Sequence, residues 1–178
     1  MPLDCEVNIE KNAPVRLLNA VMERMDYSKL CAAYSRLGRI EYSPKILLKI
    51  MVYGYMRKQI SSRALEACCR ENLHFIYLLE GQRAPDHNTI NRFRKNILTQ
   101  EAGQDILHQL VVLLHEKGLA YVKQDLDFRR FLLRGNVKVA AEWLLFSLAL
   151  NILRLHHKIQ NGRLGSGLIV PSSFPAGL

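Results

Sequence analysis

Residues 43–55 have the sequence SPKILLKIMVYGY, and this stretch sets the class of fold. Ser43 is a favourable N-cap residue, and Pro44 suits the first helical position because its missing N–H has no intrahelical partner there. Apolar side chains then recur at spacings of three and four, which predicts a helix with one buried stripe. The stripe consists of Ile46, Leu47, Ile50, Met51, Tyr53 and Gly54.

The same periodicity continues on both sides of this stretch, whereas the period-two alternation typical of strands is almost absent. We therefore predict an all-α fold, a multi-helix bundle with a helix-turn-helix-like unit and a long C-terminal helix. Capping residues, prolines and glycines set the predicted boundaries of the other helices. These helices cover residues 14–25, 28–37, 61–72, 73–79, 86–96, 101–117 and 136–161.

Composition limits the classes of protein to consider. The chain has 178 residues, of which 49% are hydrophobic and 23% are charged, enough for one core and a small appendage. This excludes a disordered polymer and a large multidomain enzyme. The formal net charge of +9 favours a polyanionic partner, with nucleic acid first and an anionic membrane second.

The cysteines and the N-terminal sequence indicate a cytoplasmic protein. The four cysteines, Cys5, Cys31, Cys68 and Cys69, form no CxxC pair, so we expect buried, reduced thiols and no metal. The first six residues are polar and acidic, unlike a signal peptide. The longest apolar stretch, residues 143–150, falls well short of the roughly 20 residues that span a membrane.

The positive charge is concentrated between Arg36 and Lys95, where 12 Lys and Arg face 5 Asp and Glu. This segment contains the helix that Asp86 opens, and amide and guanidinium side chains of that type read base edges and contact phosphates. The alternative is a solvated polar face on a helix that packs through Ile90 and Phe93. The candidate DNA-binding side chains of this helix are His87, Asn88, Asn91, Arg92, Arg94 and Lys95.

Three segments carry a family resemblance. Residues 42–55, 61–66 and 85–94 resemble, in this order, the N-terminal domain of bacterial insertion-sequence transposases of the DDE class, a match that covers roughly residues 14–117. Residues 123–135 and 142–151 are similar to the C-terminal end of the same transposases. The resemblance implies double-stranded DNA as the partner, in particular the terminal repeats of the element.

In that family an RNase H-like domain with three metal-binding carboxylates separates the two regions. Here Leu119 runs almost directly into the segment that begins at Lys123, so the resemblance implies an internal deletion and a truncated chain without catalytic activity. The expected division is an N-terminal helical DNA-binding domain at 1–118, a remnant of the C-terminal end at 119–161 and a flexible tail at 162–178.

Glu116 leaves an enzymatic alternative open. It precedes Lys123 at the spacing of the family's third carboxylate, but Gln109 and Val112 occupy the positions of the expected Tyr and Arg. A minimal nuclease would use Glu116 with Asp105 and Asp125, although two-metal chemistry needs carboxylates that converge from several elements. Adjacent His156 and His157 point in different directions on a helix, so we expect neither a metal site nor a cofactor.

The long helix at 136–161 needs a partner for its apolar face. We expect it to fold back on the helix at 101–117 rather than to pair with a second copy, because burial within one chain costs no association entropy. The positions expected to be buried include Val139, Trp143, Phe146, Leu150 and Leu153.

These observations predict a DNA-binding fragment that occupies transposon ends without catalysing strand transfer. It would inhibit intact transposase by occupying those ends or by forming inactive mixed oligomers. The third alternative is the product of a pseudogene that binds nothing specifically. Phosphate contacts are expected from Arg36, Arg39, Lys45, Lys49, Arg57, Lys58 and Arg63.

Overall fold

A computed structural model describes residues 8–35, 42–96, 100–116 and 136–162 of the chain. Within these ranges there are eight helices and no strand, which confirms the all-α prediction. The helices are α1 (Pro14–Met22), α2 (Ser28–Ser35), α3 (Pro44–Met56), α4 (Ser62–Glu71), α5 (Leu73–Leu78), α6 (His87–Asn96), α7 (Gln100–Glu116) and α8 (Asn136–Gln160).

The predicted helix starts follow the local chemistry. Pro14 and Pro44 occupy the first turns of α1 and α3, and the Ser61 hydroxyl accepts a hydrogen bond from the Ala64 amide at 3.1 Å, capping α4. Ser43 occupies the N-cap position of α3, but its side chain makes no capping hydrogen bond. The Asn72 side chain caps α5 by accepting from the His74 amide, which separates α5 from α4.

Helix α3 lies at the centre of the bundle. Twelve of its thirteen residues are buried, because α1, α4, α5 and α8 all pack against it. The predicted stripe is correct but too narrow, since Leu48, Val52 and Tyr55 are buried as well. A helix that is apolar on all sides is typical of a core position.

Helix α8 folds back onto the bundle, as predicted. It packs against α7, and it also packs against α3, which the sequence did not indicate. A Cβ on Gly103 would lie 2.7 Å from Leu144 Cδ2, which shows how closely α7 and α8 approach. Side chains of α8 and of α1 therefore contribute to the same hydrophobic core.

Trp143 was predicted to be buried, and this prediction is wrong. Its side chain is 43% exposed, and its ring stacks against Phe146 with 5.8 Å between the centroids. Phe146 and Leu150 are buried and Leu153 is half-buried. The inner face of α8 therefore includes these three residues but not Trp143. The Val139 side chain lies outside the described part of the chain.

Other predictions also fall outside the described ranges. These are the phosphate contacts of Arg36 and Arg39, the segment 119–135 with Asp125, and the tail after residue 162. In the ranges that the structure does describe, no helix is both long and apolar enough to cross a bilayer.

Candidate nucleic-acid interface

Helix α6 begins at the predicted cap. The Asp86 carboxylate accepts a hydrogen bond from the Thr89 amide at 2.7 Å, which satisfies one of the free N–H groups of the first turn. Hydrogen bonds from Thr89 hold the pKa of Asp86 below its ordinary value. The cap fixes the end of the helix that carries the candidate DNA-binding side chains.

Glu66 of α4 fastens the first turn of α6, which sequence reasoning missed. Its Oε2 accepts from the His87 amide at 3.0 Å and lies 2.8 Å from His87 Nδ1, while its Oε1 accepts from Arg70 at 2.5 Å. These contacts with His87 are the main reason why the pKa of Glu66 is lowered. His87 therefore connects α6 to α4 through its contacts with Glu66, and it is also a candidate DNA contact.

The two faces of α6 differ in chemistry. Ile90 and Phe93 are buried, as predicted, and they hold the helix against the core. On the other side, four side chains follow one another at positions i, i+3, i+4 and i+7, the spacing of a single helix face. Asn88, Arg92 and Lys95 are exposed and Asn91 is half-exposed; we call these four side chains the α6 polar face.

Arg94 does not belong to the α6 polar face, so its assignment as a DNA contact is wrong. The residue is only 3% exposed, and its Nη2 donates to the Ile60 carbonyl at 2.8 Å. Position 94 follows Ile90 by four residues, so it shares the buried side of the helix. Arg94 fastens α6 to the connection between α3 and α4.

That connection carries exposed positive charge. Arg57 and Lys58 are both exposed in the turn that closes α3, where the Gln59 amide donates to the Gly54 carbonyl at 2.8 Å. Arg63 is exposed in the first turn of α4, the helix that packs on α6. These three predicted phosphate contacts are therefore on the surface. The elements that carry them contact α6, because α4 packs on it and the Ile60 carbonyl accepts from Arg94.

Lys49 and Lys45 are engaged within the protein. Lys49 is fully buried, and its ammonium donates to Asn19 Oδ1 at 2.6 Å, to Glu80 Oε1 at 2.5 Å and to Glu23 Oε1. Three acceptors satisfy all three N–H groups. The assignment of Lys49 as a phosphate contact is wrong, because its side chain has no exposed surface. Lys45 is half-buried and also binds Glu23.

Glu23 is stabilised as a carboxylate by these two lysines. Partial burial tends to raise its pKa, but the hydrogen bonds from Lys45 and Lys49 outweigh burial and leave the pKa below its ordinary value. The cluster joins α1, α3 and the turn after α5.

The acidic residues considered for catalysis are used structurally or lie outside the description. Asp105 accepts from Lys29 at 2.5 Å and from Gln109 at 2.9 Å, which links α2 to α7. Glu116 ends α7, but its side chain is not among those described. Over the described residues, no three His, Cys, Asp or Glu side chains are grouped as a metal site would require.

The cysteines follow the predicted pattern only in part. Cys69 is buried and Cys68 is half-buried, and burial raises the pKa of Cys69 to about 12. Cys31 is exposed, which contradicts the expected burial; it lies in the first turn of α2, directly after the buried Leu30. The three thiols are free.

Comparison with protein-family models gives two matches. A family model described as a transposase domain (DUF772) matches residues 3–96, and one described as a transposase DDE domain matches residues 67–156. Each covers just over half of the 178 residues, so the chain belongs to the DDE-type transposases of insertion sequences. No match was found among curated proteins or among solved structures. The family makes DNA the expected partner.

Proposed function

We propose that this transposase-family chain binds double-stranded DNA through the α6 polar face. The observation that carries the proposal is the single surface formed by Asn88, Asn91, Arg92 and Lys95 on a helix whose opposite side is buried. Asparagine pairs with adenine edges and arginine with guanine edges in the major groove, while lysine neutralises phosphate. The helix is fixed by the Asp86 cap and by Glu66, which favours a defined docking angle.

Phosphate contacts come from the neighbouring connection and from α4. Arg57, Lys58 and Arg63 are exposed, and the Arg94 hydrogen bond to Ile60 couples their segment to α6. His87 contributes less to the DNA contact than the α6 polar face. Glu66 engages its Nδ1, so only Nε2 of the ring is able to reach DNA. This surface combines base contacts with sequence-independent electrostatic attraction.

We propose further that the DNA is the terminal repeat of the parent element and that the chain does not catalyse strand transfer. Two features support the second part: Asp105 is engaged by Lys29 and Gln109, and Leu119 is followed almost directly by the segment similar to the C-terminal end of the family. A truncated chain of this kind would compete with intact transposase for the ends or form inactive mixed oligomers with it.

The experiment is fluorescence anisotropy of the full chain on terminal-repeat duplexes and on scrambled duplexes of equal length, across a salt series. We expect a preference for the repeat that persists at raised salt. Arg92→Ala should lower that preference by about 1–3 kcal/mol without changing the melting temperature. Arg24→Ala, an exposed arginine after α1, is the matched control and should have no effect on the preference.

Two results would contradict the proposal. Equal affinities for both duplexes that decline together with salt would reduce the chain to a non-specific polycation. An Arg92→Ala variant that weakens both duplexes by the same factor would show that α6 does not read bases.

A further inference from the structure

Helix α4 has an outward face with two arginines. Arg63 and Arg70 are two helical turns apart, so their side chains leave the helix within about 20° of each other and about 10.5 Å apart along its axis. Both are exposed, and so is Ala67, which lies between them. We call Arg63, Ala67 and Arg70 the α4 arginine face. Because Ala67 is small, another molecule can approach the helix closely between the two cations.

Glu66 brings Arg70 to the first turn of α6. Its two carboxylate oxygens have different partners: Oε1 accepts from Arg70 Nη2 at 2.5 Å, and Oε2 accepts from the His87 amide at 3.0 Å. The Glu66 side chain is only 17% exposed, so most of its surface is covered where the two helices meet. A single carboxyl group therefore separates the Arg70 guanidinium from the first turn of α6.

The Arg70 guanidinium retains donors for a phosphate. Its hydrogen bond to Glu66 uses one N–H of Nη2, whereas a guanidinium has five N–H groups. The Arg70 side chain is 61% exposed, and an ion pair this exposed contributes little to stability. With one edge held by a carboxylate, the planar group can present another edge to a phosphate, which arginine binds through two parallel hydrogen bonds.

The charges around the α4 arginine face favour a polyanion. Glu66 lies on the flank that contacts α6, and Glu71 lies on the opposite flank, about 100° around the helix from Arg70. Arg57 and Lys58 are exposed in the turn that precedes α4. The positive surface of this turn therefore continues along α4, beside the helix that carries the α6 polar face.

We propose that the α4 arginine face binds phosphates of the DNA strand that borders the groove entered by α6, and that Glu66 is a positioning residue for Arg70. The inference rests on the proposed function of the α6 polar face. It adds Arg70 as a DNA contact and gives α4 a task distinct from that of α6. A helix that binds the backbone fixes the register of its neighbour on the duplex and reads no bases itself.

The test is anisotropy of the full chain over a salt series, on a duplex selected from a random-sequence library and on its scrambled form. Arg70→Ala and Arg63→Ala are each made in the wild type and in Glu66→Gln. Arg63→Ala is the matched control for the effect of Glu66, because Glu66 hydrogen-bonds to Arg70. Arg24→Ala, an exposed arginine outside the proposed surface, is the control for charge alone.

We expect Arg70→Ala to lower the magnitude of the salt slope by about 1 on both duplexes, with the preference unchanged. One unit of slope corresponds to about tenfold in affinity between about 0.1 M and 1 M salt. In Glu66→Gln the effect of Arg70→Ala should be smaller, while that of Arg63→Ala stays the same. Arg24→Ala should change neither quantity, and all melting temperatures for the arginine variants should stay near the wild-type value.

Three results separate the claims. An unchanged salt slope in Arg70→Ala, with a discriminating wild type, would overturn the Arg70 contact and leave the proposed function intact. A larger effect of Arg70→Ala in Glu66→Gln would show that Glu66 masks the arginine, which overturns the positioning role. A wild type without sequence preference would overturn base reading by α6, and the slope change in Arg70→Ala would still decide whether α4 binds the backbone.

Discussion

The Lys49 ammonium on α3 and the Glu80 carboxylate in the turn after α5 lie 2.5 Å apart, although Lys49 has no exposed surface. Glu80 has a φ of +51°, in the left-handed region that residues other than glycine adopt only at some cost. The contact therefore holds a strained turn against the central helix, together with the hydrogen bonds from Lys49 to Asn19 and Glu23.

Removal of the Lys49 charge should destabilise the fold and leave DNA recognition intact. Lys49→Ala leaves a cavity and two carboxylates without their shared cation, and we expect a loss of about 2–4 kcal/mol, discounted for the partial exposure of Glu23 and Glu80. Urea denaturation measures it. Lys45→Ala is the control, and the loss of its half-exposed pair with Glu23 should cost less than about 1 kcal/mol. An equal loss in the two variants would contradict this account.

Lys58→Gly should remove a positive charge with little change in the free energy of unfolding. Lys58 is exposed and has a φ of +60°, so glycine relieves backbone strain while adding chain entropy to the unfolded state, and the net change should stay below about 1 kcal/mol. If Lys58 contacts a phosphate, the slope of log affinity against log salt should fall by about 1 in magnitude. A salt slope equal to that of the wild type would remove Lys58 from the interface.

Gly54→Ala should be more damaging than the same change at Gly103. A Cβ on Gly54 would lie 2.7 Å from the Gln59 carbonyl oxygen and would also collide with the Leu65 side chain, and the backbone oxygen cannot easily move. We expect a loss of about 1–3 kcal/mol in thermal or urea unfolding. At Gly103 the obstacle is the end of the flexible Leu144 side chain, so a smaller loss is expected. The reverse order would show that the α3–α4 approach is looser than described.

Stability should fall in acid. Hydrogen bonds lower the pKa of Glu66, Asp86 and Asp105 below their ordinary values of 4.5, 3.8 and 3.8. A lowered native pKa stabilises the fold above the unfolded value, and that stabilisation is lost as pH falls through the native pKa. Urea midpoints should therefore be flat near neutrality and decline below about pH 4.5. Glu66→Gln should make the decline shallower, and an identical profile would exclude Glu66 as a contributor.

The chain should not cleave DNA. With Mg²⁺ and supercoiled plasmid, we expect no nicking by the wild type above that of a Glu116→Ala variant prepared in parallel. Nicking that requires Mg²⁺ and disappears in Glu116→Ala would favour the minimal-nuclease alternative over the truncated, non-catalytic protein.

Periodicity and capping residues were sufficient to predict most of the fold. The starts of α1, α3, α4 and α8, the Asp86 cap and the packing of α8 on α7 all follow from local sequence. These signals act within one helix or between neighbours along the chain, so the residues that cause them can be read directly from the sequence.

Most of the wrong predictions concern residues whose burial or contacts depend on a second helix. Lys49 looked like a surface cation, and only the packing of other helices around α3 encloses it. The burial of Arg94 was open to prediction, because Arg94 follows the apolar Ile90 by four residues on the same helix. Trp143 lies on the outer side of α8 because the contacts with α3 and α7 select a different stripe. Glu66 escaped notice because its partner His87 is 21 residues away. Four side chains of the candidate face were nevertheless predictable from helical spacing.

Trp143 is an intrinsic fluorescent probe at a single known position of the chain. It is the only tryptophan of the sequence, it is partly exposed against Phe146, and it directly follows Glu142. Its emission therefore originates from a single position, one residue from a buried carboxylate, on a helix that packs against α6. A change in its quenching on addition of DNA would reveal, without any attached dye, whether events at α6 are transmitted to α8.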